Sequence, residues 1–164
     1  MIDPSTLVLP DVVGAVMLRF RQFEARFAAN GINVHPSPNV WTIAPDLSPD
    51  WGMPTWAITF DPAGGPTNGP WEGVPVHTQR FDLWFYGAGV DVPTRKRNAW
   101  RMWQVAHPII CPPAYVGLSR SFIAGHTVVM DVVQEAEPQR QGVPDTQWER
   151  VFCPYVVTYQ EFPV

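Results

Sequence analysis

The chain has 164 residues and a formal net charge of −4. This length supports one substantial hydrophobic core, so we expect a single domain over residues 1–164. The acidic balance argues against a nucleic-acid partner, which would require a basic face. Charged residues make up 16% of the chain, against about 25% in an average domain, and 19 residues are proline. Few charges and many prolines, with eight Trp and nine Phe, favour a surface that contacts other proteins, although large aromatic residues also fill cores.

A first helix is predicted near the N-terminus. Apolar residues recur there at three- and four-residue spacing, namely Val13, Val16, Met17, Phe20, Phe23 and Phe27. Pro10 suits the first turn of a helix and Asn30-Gly31 suits its end, so one amphipathic helix is expected between them. The N-terminal residues show neither a basic region nor a long apolar run. We therefore expect neither a signal peptide nor a membrane anchor, and folding in a cytoplasm-like compartment.

Two strands and long loops are predicted next. Residues 33–54 are rich in Pro, Asn, Asp and Ser and predict an irregular loop, with a short strand at 40–43. Residues 55–61 alternate between apolar and polar types and predict a strand with Trp56, Ile58 and Phe60 facing inward. A Gly/Pro-rich turn follows, and the next strand begins near Val74. Together the two strands predict a hairpin with an elaborate tip.

The segment from Val74 to Pro112 changes from a strand pattern to a helix pattern. Its strand would place Phe81, Leu83 and Phe85 on one face, and Arg80, Asp82, Trp84 and Tyr86 on the other. A helix is predicted over residues 95–107 because Ala99, Met102, Trp103 and Ala106 share one face. Pro108 lacks a backbone donor and disfavours helical conformation before it, so the helix is expected to end there.

The C-terminal third predicts two more strands. Residues 121–133 are β-branched enough to form one strand, and residues 135–145 read as a loop. The last strand, residues 146–161, contains Pro154, which predicts an edge position or a bulge. The resulting fold class is α+β: one mainly antiparallel β-sheet with two helices packed against it, connected by long Pro/Gly-rich loops.

The sequence offers little for catalysis. His77 and Asp82 are five residues apart on one predicted strand, which puts them on opposite faces and roughly 17 Å apart. His126 and Asp131 fail in the same way, and no metal-ligand spacing, nucleophile elbow or phosphate loop occurs. Cys111 and Cys153 belong to no metal-binding or redox motif, so free thiols are expected. We therefore expect no enzyme activity, no cofactor and no metal site.

A basic cluster opens the second predicted helix and consists of Arg95, Lys96, Arg97 and Arg101. The positive end of the helix dipole disfavours cations, so two explanations compete. The cluster is a solvated face that costs a few tenths of a kcal/mol, or it pairs with an acidic surface on a neighbouring copy. The acidic candidates for that surface are Asp46, Asp50, Glu135 and Glu137.

The order of these elements resembles the tail-terminator (tail-completion) proteins of long-tailed bacteriophages. The resemblance lies in the N-terminal helix, in residues 76–86 followed by residues 96–106, in Ile109-Ile110-Cys111-Pro112, and in the closing strand within residues 145–159. It rests on pattern and order over most of the chain. The Pro-rich loops at residues 35–54 and 62–75 look longer than those of the family.

The resemblance implies a structural role without catalytic residues or cofactor. The family forms a ring, hexameric there, that caps the completed tail tube, ends its polymerisation and faces the head-side connector. Implied partners are other copies of the chain, the tail tube protein and a head-side connector or stopper protein, with no sequence-specific nucleic-acid binding and no membrane. The implied location is the tail or neck of the virion, and the host cytoplasm during assembly.

Two alternatives stay open, another head–tail neck or connector protein, such as a stopper or adaptor, and a small α+β enzyme or ligand-binding domain. Candidate residues for subunit or partner contacts come from this chain's own pattern rather than from the family. They are Arg80, Trp84, Arg95, Lys96, Arg97, Trp100 and Arg101.

Overall fold

The computed structural model describes residues 12–32, 40–41, 56–62, 67–68, 76–113, 117–124, 127–143 and 148–161. The helices in these ranges are α1 (Val12–Gln22), α2 (Glu24–Ala29) and α3 (Val92–Ile110). The strands are β1 (Val40–Trp41), β2 (Trp56–Pro62), β3 (Thr67–Asn68), β4 (Val76–Ala88), β5 (Phe122–Ala124), β6 (Thr127–Gln134), β7 (Gln139–Gly142) and β8 (Trp148–Glu161). The predicted Pro-rich loop before β2 and the Gly/Pro tip before β4 lie almost entirely outside the described residues, as do the side chains of β2.

The described strands form one sheet in the order β1-β2-β4-β8-β6-β5, with β3 also paired to β4 and β7 to β8. Every pairing is antiparallel except that of β1 with β2. The helices pack on one face of this sheet and share a single core with it. The predicted α+β class, with one mainly antiparallel sheet and helices against it, is confirmed.

The long strands β4 and β8 form the centre of the sheet, in unbroken register from Val76 opposite Gln160 to Ala88 opposite Trp148. Their inward residues are buried, as the alternation predicts. They are Phe81, Leu83 and Phe85 on β4, and Val151, Cys153, Tyr155, Val157 and Tyr159 on β8. Opposite them, α3 buries Ala99, Met102, Val105, Ala106, Ile109 and Ile110. The sheet therefore has an inner face under the helices and an outer face on the other side.

The helix α3 is longer at both ends than the sequence predicts. It begins at Val92, with Pro93 in its first turn, where a missing N–H costs nothing. It also continues through Pro108, so the predicted end at that residue is wrong. The last turn persists because Ile109 and Ile110 are fully buried and because the Cys111 N–H donates to the His107 carbonyl at 2.9 Å. Burial there outweighs the loss of one helical hydrogen bond.

The first predicted helix is divided into α1 and α2 at Phe23, so the prediction of one helix is wrong in this detail. The Phe23 N–H donates to the Phe20 carbonyl at 3.1 Å, three residues back rather than four, which tightens the backbone locally. Phe20 and Phe27 on either side of the break are fully buried, with ring centroids 6.2 Å apart. Gly31, at φ 73°, ends α2 as the sequence predicts.

The C-terminal strands also differ from prediction in number. Residues 121–133 form a hairpin of β5 and β6 rather than one strand, with Ala124 opposite Thr127. Residues 135–145, predicted as a loop, contain the short strand β7, which pairs with β8 from Gln139 opposite Phe152. Polar residues fill β7, and most of it is exposed. A strand of this kind gives no hydrophobic alternation to detect.

Pro154 lies in the middle of the central strand β8, so the predicted edge position is wrong, and the β4–β8 register shows no bulge there. The pairing of β8 with β6 ends at Tyr155 and its pairing with β7 ends at Phe152. Pro154 thus faces the turn between these two strands, where the Glu135 N–H donates to its carbonyl at 3.0 Å. Neither β6 nor β7 pairs with β8 at Pro154, so the missing N–H removes no hydrogen bond from these two ladders.

Candidate functional site

The start of α3 is stabilised by an acidic cap from its own chain. Asp91 precedes the helix, and its carboxylate accepts a hydrogen bond from the Thr94 N–H at 2.7 Å. This hydrogen bond lowers the pKa of Asp91, with smaller contributions from Arg97 and Arg95. The basic cluster therefore does not open the helix, as the sequence suggested, because three residues and an acidic cap precede Arg95.

An open pocket of about 430 Å³ lies between α2 and α3. Its lining combines guanidinium groups, amides and apolar surface, and consists of Arg26, Asn30, Arg97, Trp100, Arg101, Gln104 and Val105. The Arg26 Nε is buried and has no hydrogen-bond acceptor in the part of the chain that the structure describes. Among the described residues no carboxylate lines the pocket, so none of them neutralises its positive charge from within.

Trp100 connects this pocket to the edge of the sheet. The guanidinium of Arg140, on β7, lies 4.6 Å from the centroid of the Trp100 ring. The Trp103 ring lies 4.9 Å from the same ring on the next turn of α3. Trp100 is half-buried and is one of the residues that line the pocket. A fourth guanidinium, that of Arg140, therefore contacts a lining residue of the pocket.

The outer face of the sheet carries a second group of aromatic residues. Trp84 and Phe152 face each other across β4 and β8 with ring centroids 4.6 Å apart, and Tyr86 meets Trp148 edge-to-face at 6.3 Å. The Arg150 guanidinium lies 4.1 Å from the Trp84 ring centroid and donates to the Gln141 Oε1 at 3.2 Å. Tyr86 and Trp148 are nearly inaccessible, whereas Trp84 and Phe152 are half-buried.

The structure divides the seven candidate contact residues between two places. Arg80 and Trp84 lie on the outer face of the sheet, whereas Arg95, Lys96, Arg97, Trp100 and Arg101 lie on α3 against the inner face. Arg80 is engaged within the chain, at 3.0 Å from Glu135 and 3.8 Å from Asp82. Arg97 and Arg101 meet in the pocket, while Lys96 is exposed outside it. The seven residues do not form one continuous surface.

The position of α3 against the sheet is set by Gly87 and Asn98. The Asn98 Nδ2 donates to the Ala88 carbonyl at 2.8 Å, which ties the helix to the end of β4. A Cβ atom on Gly87 would lie 2.6 Å from the Asn98 carbonyl carbon and still closer to the Ala99 nitrogen. Only glycine permits this approach of helix to strand, so this contact fixes where the pocket-lining side of α3 lies.

A buried polar cluster lies under α3, and the sequence alone did not indicate it. His107 lies within α3, and its Nδ1 shares a 2.9 Å hydrogen bond with the Tyr155 hydroxyl. Its ring also stacks on Trp103 at 5.1 Å. Burial raises the pKa values of Tyr155 and Cys153 and lowers that of His107. The four-residue spacing of Trp103 and His107 was the available signal, since it puts both on one helix face.

Acid is expected to destabilise the protein through His107. Its pKa is lowered by desolvation below the usual 6.5, so the unfolded chain binds a proton more readily than the folded one. The contribution to stability is complete above about pH 6.5 and is lost as the pH falls towards the folded-state pKa. Urea unfolding between about pH 7.5 and pH 5 should show this slope, and His107→Gln should reduce it. Equal slopes in the two proteins would contradict this assignment.

The described residues show no assembled catalytic centre. His77 and Asp82 alternate to opposite faces of β4, as predicted, and the His77 ring lies 5.3 Å from Tyr159 instead. His126 lies outside the described residues. Cys111 and Cys153 are free, as expected. Within the described ranges no cluster of three metal-ligating side chains occurs, and no helix is long and apolar enough to cross a membrane.

The described residues have an α+β fold in which helices pack on one face of a single, mainly antiparallel sheet. The chain is similar to a chain of the solved structure "Virion of native gene transfer agent (GTA) particle", with a TM-score of 0.54 and 11% sequence identity. The alignment covers 91% of this chain and 94% of that chain. At this identity the likeness establishes a common fold. No protein-family model and no curated protein sequence matches the chain.

Proposed function

We propose that the protein is a structural component of a phage-like virion and acts as a tail terminator. In this role it forms a ring, expected to be hexameric, that caps the tail tube, ends tail polymerisation and joins the tube to the head-side connector. The observation that carries the proposal is the fold similarity to a chain of a gene transfer agent virion, over almost the full length of both chains. The resemblance in element order to tail-terminator proteins supports the more specific role.

The surface chemistry is consistent with such a role. The chain carries a cationic pocket between α2 and α3 and, on the opposite side of the sheet, the half-buried outer-face residues Trp84 and Phe152. Two different contact surfaces suit a subunit that binds one neighbour on each side, because a head-to-tail contact that closes makes a ring. A closed ring leaves no free lateral contact for a further copy of the chain, so the addition of subunits to the ring ends there. The proposed mechanism is geometric and uses no cofactor.

The proposed partners are other copies of the chain, the tail tube protein and a head-side connector or stopper protein. The proposed location is the virion tail or neck, after assembly in the host cytoplasm. The candidate contact residues on α3, Arg95, Lys96, Arg97, Trp100 and Arg101, are proposed for the subunit or partner interface. Arg80 and Trp84 are proposed for a second contact on the outer sheet face.

A different neck or connector protein is the second candidate function. The similar chain belongs to the structure of a whole virion particle. The shared fold therefore supports a place in such a particle without specifying which layer of it. A stopper or adaptor would occupy the same region of a particle but a different layer. The position of the protein in purified particles separates the two roles.

Reversing two charges in the pocket is expected to prevent ring formation. Arg97 and Arg101 are exposed residues of the pocket, so the double variant R97E/R101E should fold as the wild type does. Its assembly should fail, because a repulsive pair at an interface costs several kcal/mol. Native mass spectrometry and circular dichroism measure the two properties together. The matched control is R21E, a charge reversal at an exposed position of α1 away from the pocket, which should assemble normally. An unchanged oligomer mass for R97E/R101E would contradict this role of α3.

A further inference from the structure

The pocket between α2 and α3 has the chemistry of a carboxylate receptor. Three guanidinium groups, from Arg26, Arg97 and Arg101, line it together with the amides of Asn30 and Gln104. Planar guanidinium donors match the two oxygens of a carboxylate. The Arg26 Nε adds a buried donor that has no acceptor in the described structure. The volume of about 430 Å³ lies within the range of about 300–1,000 Å³ that is typical of small-molecule sites.

The acidic residues of the chain differ in whether they are already engaged. Four of those in the described ranges have partners: Asp82 and Glu135 with Arg80, Asp91 with Thr94, and Asp131 with Arg120 at 3.1 Å. No ion pair is formed within those ranges by Glu24, Glu137 or Glu149. Among the acidic side chains that the structure describes, these three are the ones that another copy could use, whereas the candidates Asp46 and Asp50 lie outside the described residues.

Glu137 is the best placed of the three. It is exposed in the turn between β6 and β7, whereas Glu149 is half-buried in the central strand β8 and Glu24 lies on α2, beside the pocket itself. Pro138 follows Glu137 and restricts the turn to extended conformations. A stiff turn loses little conformational freedom on binding, so its carboxylate is presented at low entropic cost.

We propose that the pocket of one copy receives the Glu137 carboxylate of a second copy, with Arg26, Arg97 and Arg101 as its ligands. This inference rests on the proposed ring and names one contact that builds it. Because the pocket and the turn lie on different elements, two copies could exchange the contact as a two-fold dimer, or each copy could offer its pocket to one neighbour and its turn to the other. The proposed ring requires the second, heterologous arrangement, which closes when the rotation between successive copies permits it.

Charge complementation between two variants tests this contact. The variant R97E/R101E has an acidic pocket and a normal turn, and E137R has a normal pocket and a basic turn. Each alone is expected to raise the protein concentration needed for half-maximal assembly at least about tenfold. An equimolar mixture should recover assembly to within about threefold of the wild type, because each acidic pocket meets a basic turn and each basic pocket an acidic turn. Native mass spectrometry of the mixed rings should show alternating subunits.

The controls separate this contact from the ring itself. Glu24→Arg makes the same charge change outside the pocket lining and should assemble as the wild type does, alone and in mixtures. If a charge-reversed variant is unfolded by circular dichroism, the neutral pair R101Q and E137Q replaces it, and each should weaken assembly. Wild-type rings together with unaffected variants, or with a mixture that stays monomeric, would overturn the Glu137 contact and leave the ring intact. A wild type that forms no ring at any concentration, with tube protein present, would overturn both, as would assembly that stops at two copies.

Discussion

Replacing Gly87 by alanine is expected to lower the free energy of unfolding by about 3 kcal/mol, at the upper end of what overpacking costs. The new methyl group would lie 2.6 Å from the Asn98 carbonyl carbon and closer to the Ala99 nitrogen. Both obstructing atoms belong to the backbone of α3, so no side-chain rotation relieves the clash. The helix would have to move away from β4 and would strain the Asn98–Ala88 hydrogen bond. Urea unfolding monitored by circular dichroism measures the change.

The matched control for this substitution is Gly142→Ala on β7. A Cβ atom there would meet nothing closer than 3.6 Å, the Glu149 Oε1, which is ordinary van der Waals contact. We expect its unfolding free energy to stay within about 0.5 kcal/mol of the wild type. The same change costs much at Gly87 and little at Gly142 because, of these two glycines, only Gly87 lies against the backbone of α3. Equal stabilities of the two variants would mean that α3 does not approach β4 in this way.

Replacing Leu83 by alanine is expected to cost about 2–5 kcal/mol. Leu83 is completely buried on β4, opposite Cys153 of β8 and under the helices. The surrounding side chains belong to both the sheet and the helices, so the core has little freedom to collapse into the cavity. Urea titration should show a lower midpoint with an unchanged slope.

Ile123→Ala provides the comparison, because it removes the same number of carbon atoms from a residue on β5 that is 68% exposed. Its expected cost is below about 0.5 kcal/mol. The contrast between Leu83 and Ile123 follows from burial alone, since the change in side-chain size is the same. A cost for Ile123→Ala as large as that for Leu83→Ala would contradict the division into a buried inner face and an exposed edge.

The parts of the fold that the sequence predicts well are those with a strong period. The inward set Phe81, Leu83 and Phe85 and the helical stripe through Ala99, Met102 and Ala106 are all buried as expected. In both cases one face of the element meets the core and the other does not. The hydrophobic pattern then carries the full information about orientation.

The errors share one physical cause, which is that tertiary contacts override local signals. Pro108 was predicted to end α3, but the helix continues to Ile110 because Ile109 and Ile110 are buried in the core. Pro154 should mark an edge strand, but it lies where β6 gives way to β7, so its missing N–H is harmless. Local rules describe what a residue costs in isolation, and the fold decides whether that cost arises.

The candidate site was predictable in composition but not in geometry. The sequence indicates that Arg97 and Arg101 lie on one helix with Trp100, yet it gives no sign that Arg26 of α2 joins them in a pocket. It also gives no sign that Tyr155 bonds to His107 from 48 positions away. Such pairings depend on long-range packing, which no local period encodes.

Imaging of purified phage-like particles tests the proposed function most directly. Cryo-electron microscopy of particles that carry a tagged form of this chain would locate it along the head–tail axis. A tail terminator should appear as a single closed ring at the head-proximal end of the tail tube, between the tube and the head-side connector. A position in the connector layer itself, elsewhere in the particle, or outside it would contradict the proposal.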